Sequence, residues 1–436
     1  MRKLRVMLSS VLLMVFAITG SGRLFAEVPD VSVREPITPA FYNGRILLAD
    51  LVNTVAAGGA AYTISTPGRY YVVEDLQFNP DNHRVSAIYI NSNNVFLNLN
   101  SASIYQKSTN TNTGLMGVEI AGSVKNVRVA NGTIAGLTVS DATEQNAGLY
   151  IGANTQTVTI ENVTVSNCTS VTREVIGFLA NSGSTGLRFI NCESVNNTNT
   201  ATVGSANDPN GYCNGFKINT CLGAVLEKCN ANRNSSTNGV CFGIRLESCK
   251  YTHVLQCTAL YNVSSSSTST DYVAGLYTYN SRGDVFKNCT SNGNYAGSNA
   301  GCMGIGCYVN GTSRYVMIKD SCFEANYGGT GDGYGIQLAA TQAFCLIDGN
   351  RVAGNTGANT GYGIKDGGTN VTNVYVRNFA MGNAKDDGST APVTTSSNFV
   401  IDPKGAGAFP TQEGSVDDYT GLTLGIKGFK NTSMID

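Results

Sequence analysis

Charge is scarce in this chain. Only 14% of its 436 residues are Asp, Glu, Lys or Arg, and the formal net charge is −1. So small and balanced a charge leaves no electrostatic footprint for nucleic acid or for an acidic membrane surface. Histidine is scarcer still: His83 and His253 are the only two, and no Cys-x-x-Cys pair occurs. The familiar zinc constellations are therefore excluded, and neither a metal nor another cofactor is expected. No helical period intervenes between the strand-like stretches, which rules out folds that alternate strands with helices. Long apolar runs are absent apart from one, Val6 to Thr19, which follows Arg2, Lys3 and Arg5 and precedes small residues ending at Ala26. That order is a signal peptide over residues 1–26, and the run is too short to span a bilayer. The mature chain is expected to carry no transmembrane span and to be periplasmic, surface-bound or secreted.

What the chain has in quantity is glycine, 50 residues of it, much of it in one recurring phrase. An apolar-flanked glycine opens the phrase, at Gly117, Gly148, Gly177, Gly215, Gly243, Gly275, Gly304, Gly335 and Gly363. By subtraction these lie 31, 29, 38, 28, 32, 29, 31 and 28 residues apart. A sustained period of this size is the mark of a solenoid. Each phrase then alternates apolar and polar residues, as in the strands around Val129, Ile160, Val225, Phe286 and Ile318. An all-β chain whose strands are joined by turns alone must coil and stack on itself.

The stacking predicts columns of like residues. Cys192, Cys229, Cys257, Cys289 and Cys322 share one phase, Cys213, Cys241 and Cys302 a second, and Cys221 and Cys249 a third. In-register side chains point the same way, which suits disulfide torsions poorly, so stacked free thiols are expected for most of the 13 cysteines. Asn197, Asn234, Asn262 and Asn294, with Asn326, Asn355 and Asn383 close to the same phase, predict a ladder of amides from coil to coil. Arg45 to Ala57 spaces Ile46, Leu47, Leu51 and Val55 as an amphipathic helix would, and so predicts a helical cap on the N-terminal end.

The stretch from Thr66 to Ile104, TPGRYYVVEDLQF…AIYINSNNVFLNLNSASI, resembles the entry to secreted proteins of the pectate-lyase-like superfold. The resemblance implies a single-stranded, right-handed parallel β-helix over residues 65–383, with an N-terminal cap segment over 27–64 and a C-terminal cap or tail over 384–436. It also implies the acids to look for: clustered aspartates around calcium with an Arg or Lys base in polysaccharide lyases, or a carboxylate pair in glycosidases. Here Asp208, Asp271, Asp284, Asp320 and Asp348 are sparse and out of phase. Arg282-Gly283-Asp284 matches an integrin-type tripeptide but falls at a strand entry.

Residues two and four after each glycine are expected to face outward. They place Lys217, Asn219, Arg245, Glu247, Tyr277, Tyr279 and Tyr308 on one outer face. Rings, two cations and a carboxylate suit a polysaccharide or cell-surface glycan. The leading expectation is a glycan-binding, adhesive or structural protein. The alternative is a polysaccharide lyase or glycoside hydrolase using Lys217, Arg245 and Glu247.

Overall fold

A computed structural model of the chain describes residues 40–42, 45–48, 60–78, 85–106, 114–139, 146–201, 211–265, 271–297, 301–358, 360–367 and 373–383. The signal segment, most of both expected caps, Asp208 and His83 lie outside the described residues. The chain divides into two units, Met1–Ala40 and Phe41–Asp436, and every described residue except Ala40 lies in the second.

That unit is a parallel β-solenoid with no α-helix among the described residues. Eleven strands, one per coil from Ala60–Ile64 to Thr360–Asp366, stack in chain order into a single sheet. A second wall gathers the strands that follow in each coil, such as Val225–Glu227 and Asn230–Asn232, and a third stacks six two-residue strands from Thr138–Val139 to Tyr295–Ala296. Every described pairing is parallel, so each coil adds its backbone hydrogen bonds to the coil before and the coil after.

Sharp corners separate the walls, and left-handed residues make them. One column, Asn131, Asn162, Asn191, Lys228, Gln256, Asn288, Asp320, Gly349 and Arg377, has φ between 50 and 66° on nine successive coils. Asparagine and glycine enter this region with least strain, which is why an asparagine so often closes the repeated phrase.

The interior is a continuous apolar stack that includes Phe178, Phe216, Ile244, Leu276, Phe286 and Phe323. Running through it is the amide ladder. Asn197, Asn234, Asn262, Asn294, Asn326 and Asn355 each donate from Nδ2 to Oδ1 of the next, at 2.8–3.1 Å, and the series ends on Asn383. Each of Asn234, Asn262, Asn294, Asn326 and Asn355 also donates to a carbonyl of the preceding coil, and its Oδ1 accepts the backbone N–H of the asparagine before it. A buried amide with every group bonded costs little; one with a group unmade costs about 1–3 kcal/mol.

The ladder explains the glycines. A Cβ added to Gly243 would lie 3.1 Å from Asn262 Nδ2, and one on Gly306 would lie 2.9 Å from Asn326 Nδ2. From Gly215 onward the repeat glycine is where the first sheet passes close to the amides; at Gly117, Gly148 and Gly177 it faces Ile134, Val165 and Ser194. This corrects the expected phase of one coil. Gly304 pairs with Val273 and Gly333, so Gly306, not Gly304, is the repeat glycine there. The sequence MGIGC contains both, and only packing against Asn326 distinguishes them.

Two cysteine positions shift likewise. Cys322 bridges to Thr290, one residue past the thiol column, whose place is taken by Ser321 bonding the Cys289 N–H at 3.0 Å. Cys302 falls one residue before Met303, the partner of Tyr272, and so is out of line with Cys213 and Cys241. All 13 cysteines are free thiols, twelve of them buried, and several lie against carbonyls, as Cys192 does against Ile160 at 3.4 Å. Burial pushes Cys168, Cys249 and Cys289 up to about 12. The helix expected over Arg45–Ala57 begins instead as a strand, Arg45–Leu48, in register with Tyr70–Val72; residues 49–59 are outside the described set. That strand belongs to the second wall.

Asp284 points into the core, fully buried, so the Arg282-Gly283-Asp284 tripeptide cannot be presented as a loop. Its carboxyl accepts from the Thr252 N–H at 3.0 Å and the Thr278 hydroxyl at 2.9 Å. Burial nevertheless pushes it up from 3.8 to about 6. The folded state therefore holds this proton more tightly than the unfolded chain. Stability on this account is greatest near pH 4 and falls as pH rises through 6, by about 3 kcal/mol at most. Asp284→Asn should be more stable than the parent at pH 7 and should flatten the slope between pH 4 and 7. Denaturant titrations across that range test it, and an unchanged slope would refute the assignment.

Candidate functional site

The outer surface of the eleven-stranded sheet carries two columns of outward side chains. One runs Ile176, Asn214, Phe242, Ala274, Ile305, Tyr334, Tyr362; the other runs Leu179, Lys217, Arg245, Tyr277, Tyr308, Gln337, Lys365. Asn219, Glu247, Tyr279 and Asn310 line up two residues further along each strand. The seven residues expected on one face are therefore neighbours, with Tyr308 beside Tyr277 instead of beside Tyr279 because of the glycine shift.

They are not an open surface. Tyr277, Tyr308 and Lys217 are each less than a tenth exposed, and the tyrosines belong to a second apolar cluster with Phe242, Ala274, Ile305, Tyr334 and Tyr362. Phe242 lies 4.6 Å from Tyr277 and 5.6 Å from Tyr272, Tyr308 lies 5.6 Å from Tyr277, and Tyr279 stacks on Tyr277 at 6.3 Å and 7°. Burial raises the phenols of Tyr272 and Tyr277 and pushes Tyr308 to about 12, so all three remain protonated hydrogen-bond donors.

At the N-terminal side of this cluster sits a buried carboxylate that sequence reasoning missed. Glu174 lies just before the strand Val175–Ala180 and is 3% exposed. Lys217 Nζ donates to its two oxygens at 2.9 and 2.8 Å, Asn214 Nδ2 donates at 2.7 Å, and Arg245 Nη1 stands 3.6 Å away. Glu174, not Glu247, is the acid between Lys217 and Arg245. Glu247 sits on the far side, 2.9 Å from Arg245 Nη2. The guanidinium also lies over Phe242 at 4.9 Å and Tyr212 at 5.3 Å. Burial alone would lower its pKa, but Glu174 and Glu247 outweigh that and raise it. Arg245 Nε and Nη1 have no hydrogen-bond partner among the described residues. Counting outward stripes from two residues after the glycine passes over Asn214, one before its glycine, and Glu174, three before.

The chemistry available follows from what is already engaged. Lys217 spends its ammonium on Glu174, and both Glu174 oxygens are occupied. Within this cluster Glu247 keeps 27% of its side chain exposed. Two of the aspartates weighed from the sequence belong to the second wall and its corner. Asp348 is held by Arg377 at 2.8 and 2.6 Å and by Lys319 at 3.7 Å, and Asp320 stands at a left-handed corner one residue out of register with it. Among the described residues no cluster of His, Cys, Asp or Glu is disposed to hold a metal.

Each return of this chain to the same parallel wall is a crossover of the kind that is right-handed in almost all proteins. The chain is a right-handed parallel β-helix. Solved structures with this architecture match it. The A-module of a mannuronan C-5 epimerase from Azotobacter vinelandii is 13% identical, with a TM-score of 0.42, over 79% of this chain and 92% of its own. PfbA, a surface adhesin of Streptococcus pneumoniae, is 11% identical with a TM-score of 0.40, over 73% and 84%. A hyperthermoactive exopolygalacturonase from Thermotoga maritima is 12% identical with a TM-score of 0.33, over 75% and 91%. No family model matches the chain, and no curated protein does. At these identities no residue's role passes from them to this β-helix.

Removing Glu174 should be costly. Glu174→Ala leaves Lys217 and Arg245 buried without their shared partner, which destabilises by about 3–5 kcal/mol. Glu174→Leu combined with Lys217→Met should recover most of that loss. Chemical denaturation of both variants measures it, and a Glu174→Ala midpoint equal to the parent's would show the cluster to be structurally idle.

Proposed function

We propose that this protein is a secreted or surface-exposed glycan-binding β-helix, and that it binds through Arg245, Glu247, Tyr277, Tyr279 and Tyr308, with Lys217 and Asn219 at the border of the site. The observation that carries the reading is Arg245. Its guanidinium is nearly sunk, fixed by two carboxylates and two rings, and it holds Glu247, which like Tyr279 keeps part of its side chain in water. A fixed, partly exposed carboxylate beside protonated phenols and aromatic faces suits the hydroxyls of a sugar ring. Binding without catalysis is favoured because Glu174 and Lys217 are tied to each other, which engages the lysine that the lyase or hydrolase alternative would use as its base. The basic start and apolar run of residues 1–26 support the external address.

A glycan array followed by calorimetry on the best ligand tests this. Tyr279→Ala and Glu247→Gln should each weaken binding on the order of tenfold while leaving the fold intact. Equal binding by parent and variants would sink the site. New reducing ends or unsaturated products from any polysaccharide would replace the binding reading with an enzymatic one.

A further inference from the structure

The scarcity of charge conceals one place where it is concentrated. Past the corner that ends the first sheet, Lys250 pairs with Arg282 and Arg282 with Arg314, on three successive coils. All three are exposed. Neighbouring rungs are about 4.8 Å apart, so three like charges stand in single file. No carboxylate lies within ion-pair distance of any of them among the described residues, whereas Arg128, Arg188, Lys217, Arg245, Lys319, Arg351 and Arg377 each have one. Mutual repulsion at that spacing is on the order of 1 kcal/mol per adjacent pair even in water.

The neighbouring column, one residue further along these three coils and the coil after them, carries aromatic rings. Tyr251, Tyr315 and Phe344 are each about half exposed and have left-handed backbone, φ 57, 58 and 58°. Bulky side chains seldom accept that conformation, which costs them about 1–2 kcal/mol. Between Tyr251 and Tyr315 the column holds Gly283, itself at φ +72°, and the Tyr251 ring lies over it: a Cβ there would be 2.7 Å from Tyr251 Cδ1. Tyr315 and Phe344 stack at 5.2 Å and 12°, and the Arg282 guanidinium lies 5.2 Å from the Tyr315 ring. Asparagine or glycine would make the same corner without strain, as they do elsewhere in this chain. Repulsion within the file of cations and the left-handed backbone beside it both disfavour the folded chain.

We propose that this strip is a second binding surface, for a single acidic polysaccharide chain running from coil to coil. Cations one rung apart match a linear polymer with one anionic group per sugar ring, and the aromatic column beside them offers flat faces to those rings. A nucleic acid is the less suitable polyanion: the file is one residue wide on a chain of net charge −1, too narrow to follow a duplex. The surface involves none of the residues of the glycan site proposed above, so either can fail without the other.

The test is calorimetry of the full chain with polyuronate oligosaccharides, uncharged dextran of the same length, and a single-stranded oligonucleotide of equal charge. The parent should bind the polyuronate, with affinity falling linearly in log–log salt dependence at a slope of about −2 for three cations. Lys250→Gln/Arg282→Gln/Arg314→Gln should lose at least about tenfold in affinity and nearly all of that slope. Lys250→Arg/Arg282→Lys/Arg314→Lys should retain both and the parental melting temperature, and the glutamine variant should melt no lower than the parent. No binding by the parent, equal binding of dextran, tighter binding of the oligonucleotide, or undiminished binding by the glutamine variant would each overturn the proposal.

Discussion

The close approach between the repeat glycines and the buried asparagines is the constraint on which the rest of this molecule depends. A parallel stack has no inherent protection against slipping by one coil, because one apolar residue replaces another at little cost. The amides remove that freedom. Asn234 is bonded at once to Asn197, Asn262 and a carbonyl of the preceding coil, so a coil out of step leaves several buried polar groups without partners. The amides fit only because the opposite wall has no side chain at Gly215, Gly243, Gly275, Gly306 and Gly335. The most visible feature of the sequence is thus the negative image of the least visible one, a polar file inside an apolar core.

Once register is fixed, outward residues thirty or so positions apart become neighbours. Lys217, Arg245 and Tyr277 meet for that reason alone. The same rule gathers Lys250, Arg282 and Arg314 into a file on another face. The two sets differ in how charge is handled. In the first, Glu174 and Glu247 hold the cations and permit their burial; in the second, no carboxylate among the described residues approaches and the cations stay in water. Burial of an unpaired charge is prohibitive, whereas exposure of three is tolerable.

Much of the coil was legible in advance because its causes are local and repeated: period, alternation, and the preference of asparagine for a left-handed corner. What was illegible required knowledge of the opposite wall. Gly304 and Gly306 are equivalent as letters, and only Asn326 selects between them. Cys322 reads as a member of the thiol column until Ser321 is seen bonding Cys289. Arg45–Leu48 fits a helix or a strand by spacing, and pairing with Tyr70–Val72 decides it. Glu174 escaped because it precedes its strand, and whether a residue there turns toward Lys217 depends on a corner whose geometry no periodicity records.

Near-neutral composition does not say where the charges stand. A net charge of −1 describes the far field, and it correctly excludes a molecule that is basic all over. It does not limit local fields, because a solenoid sorts its residues into columns by their phase in the repeat, not by their proximity in the chain. Lys250, Arg282 and Arg314 are separated by 32 residues at each step, and the two acids between them, Asp271 and Asp284, are both buried. Sorting by phase can therefore build a strip of one sign from a balanced sequence. The same sorting places the strained aromatics directly alongside it, since Tyr251 and Tyr315 follow their cations by one residue. Charge and strain coincide on this face because a single phase of the repeat generates both.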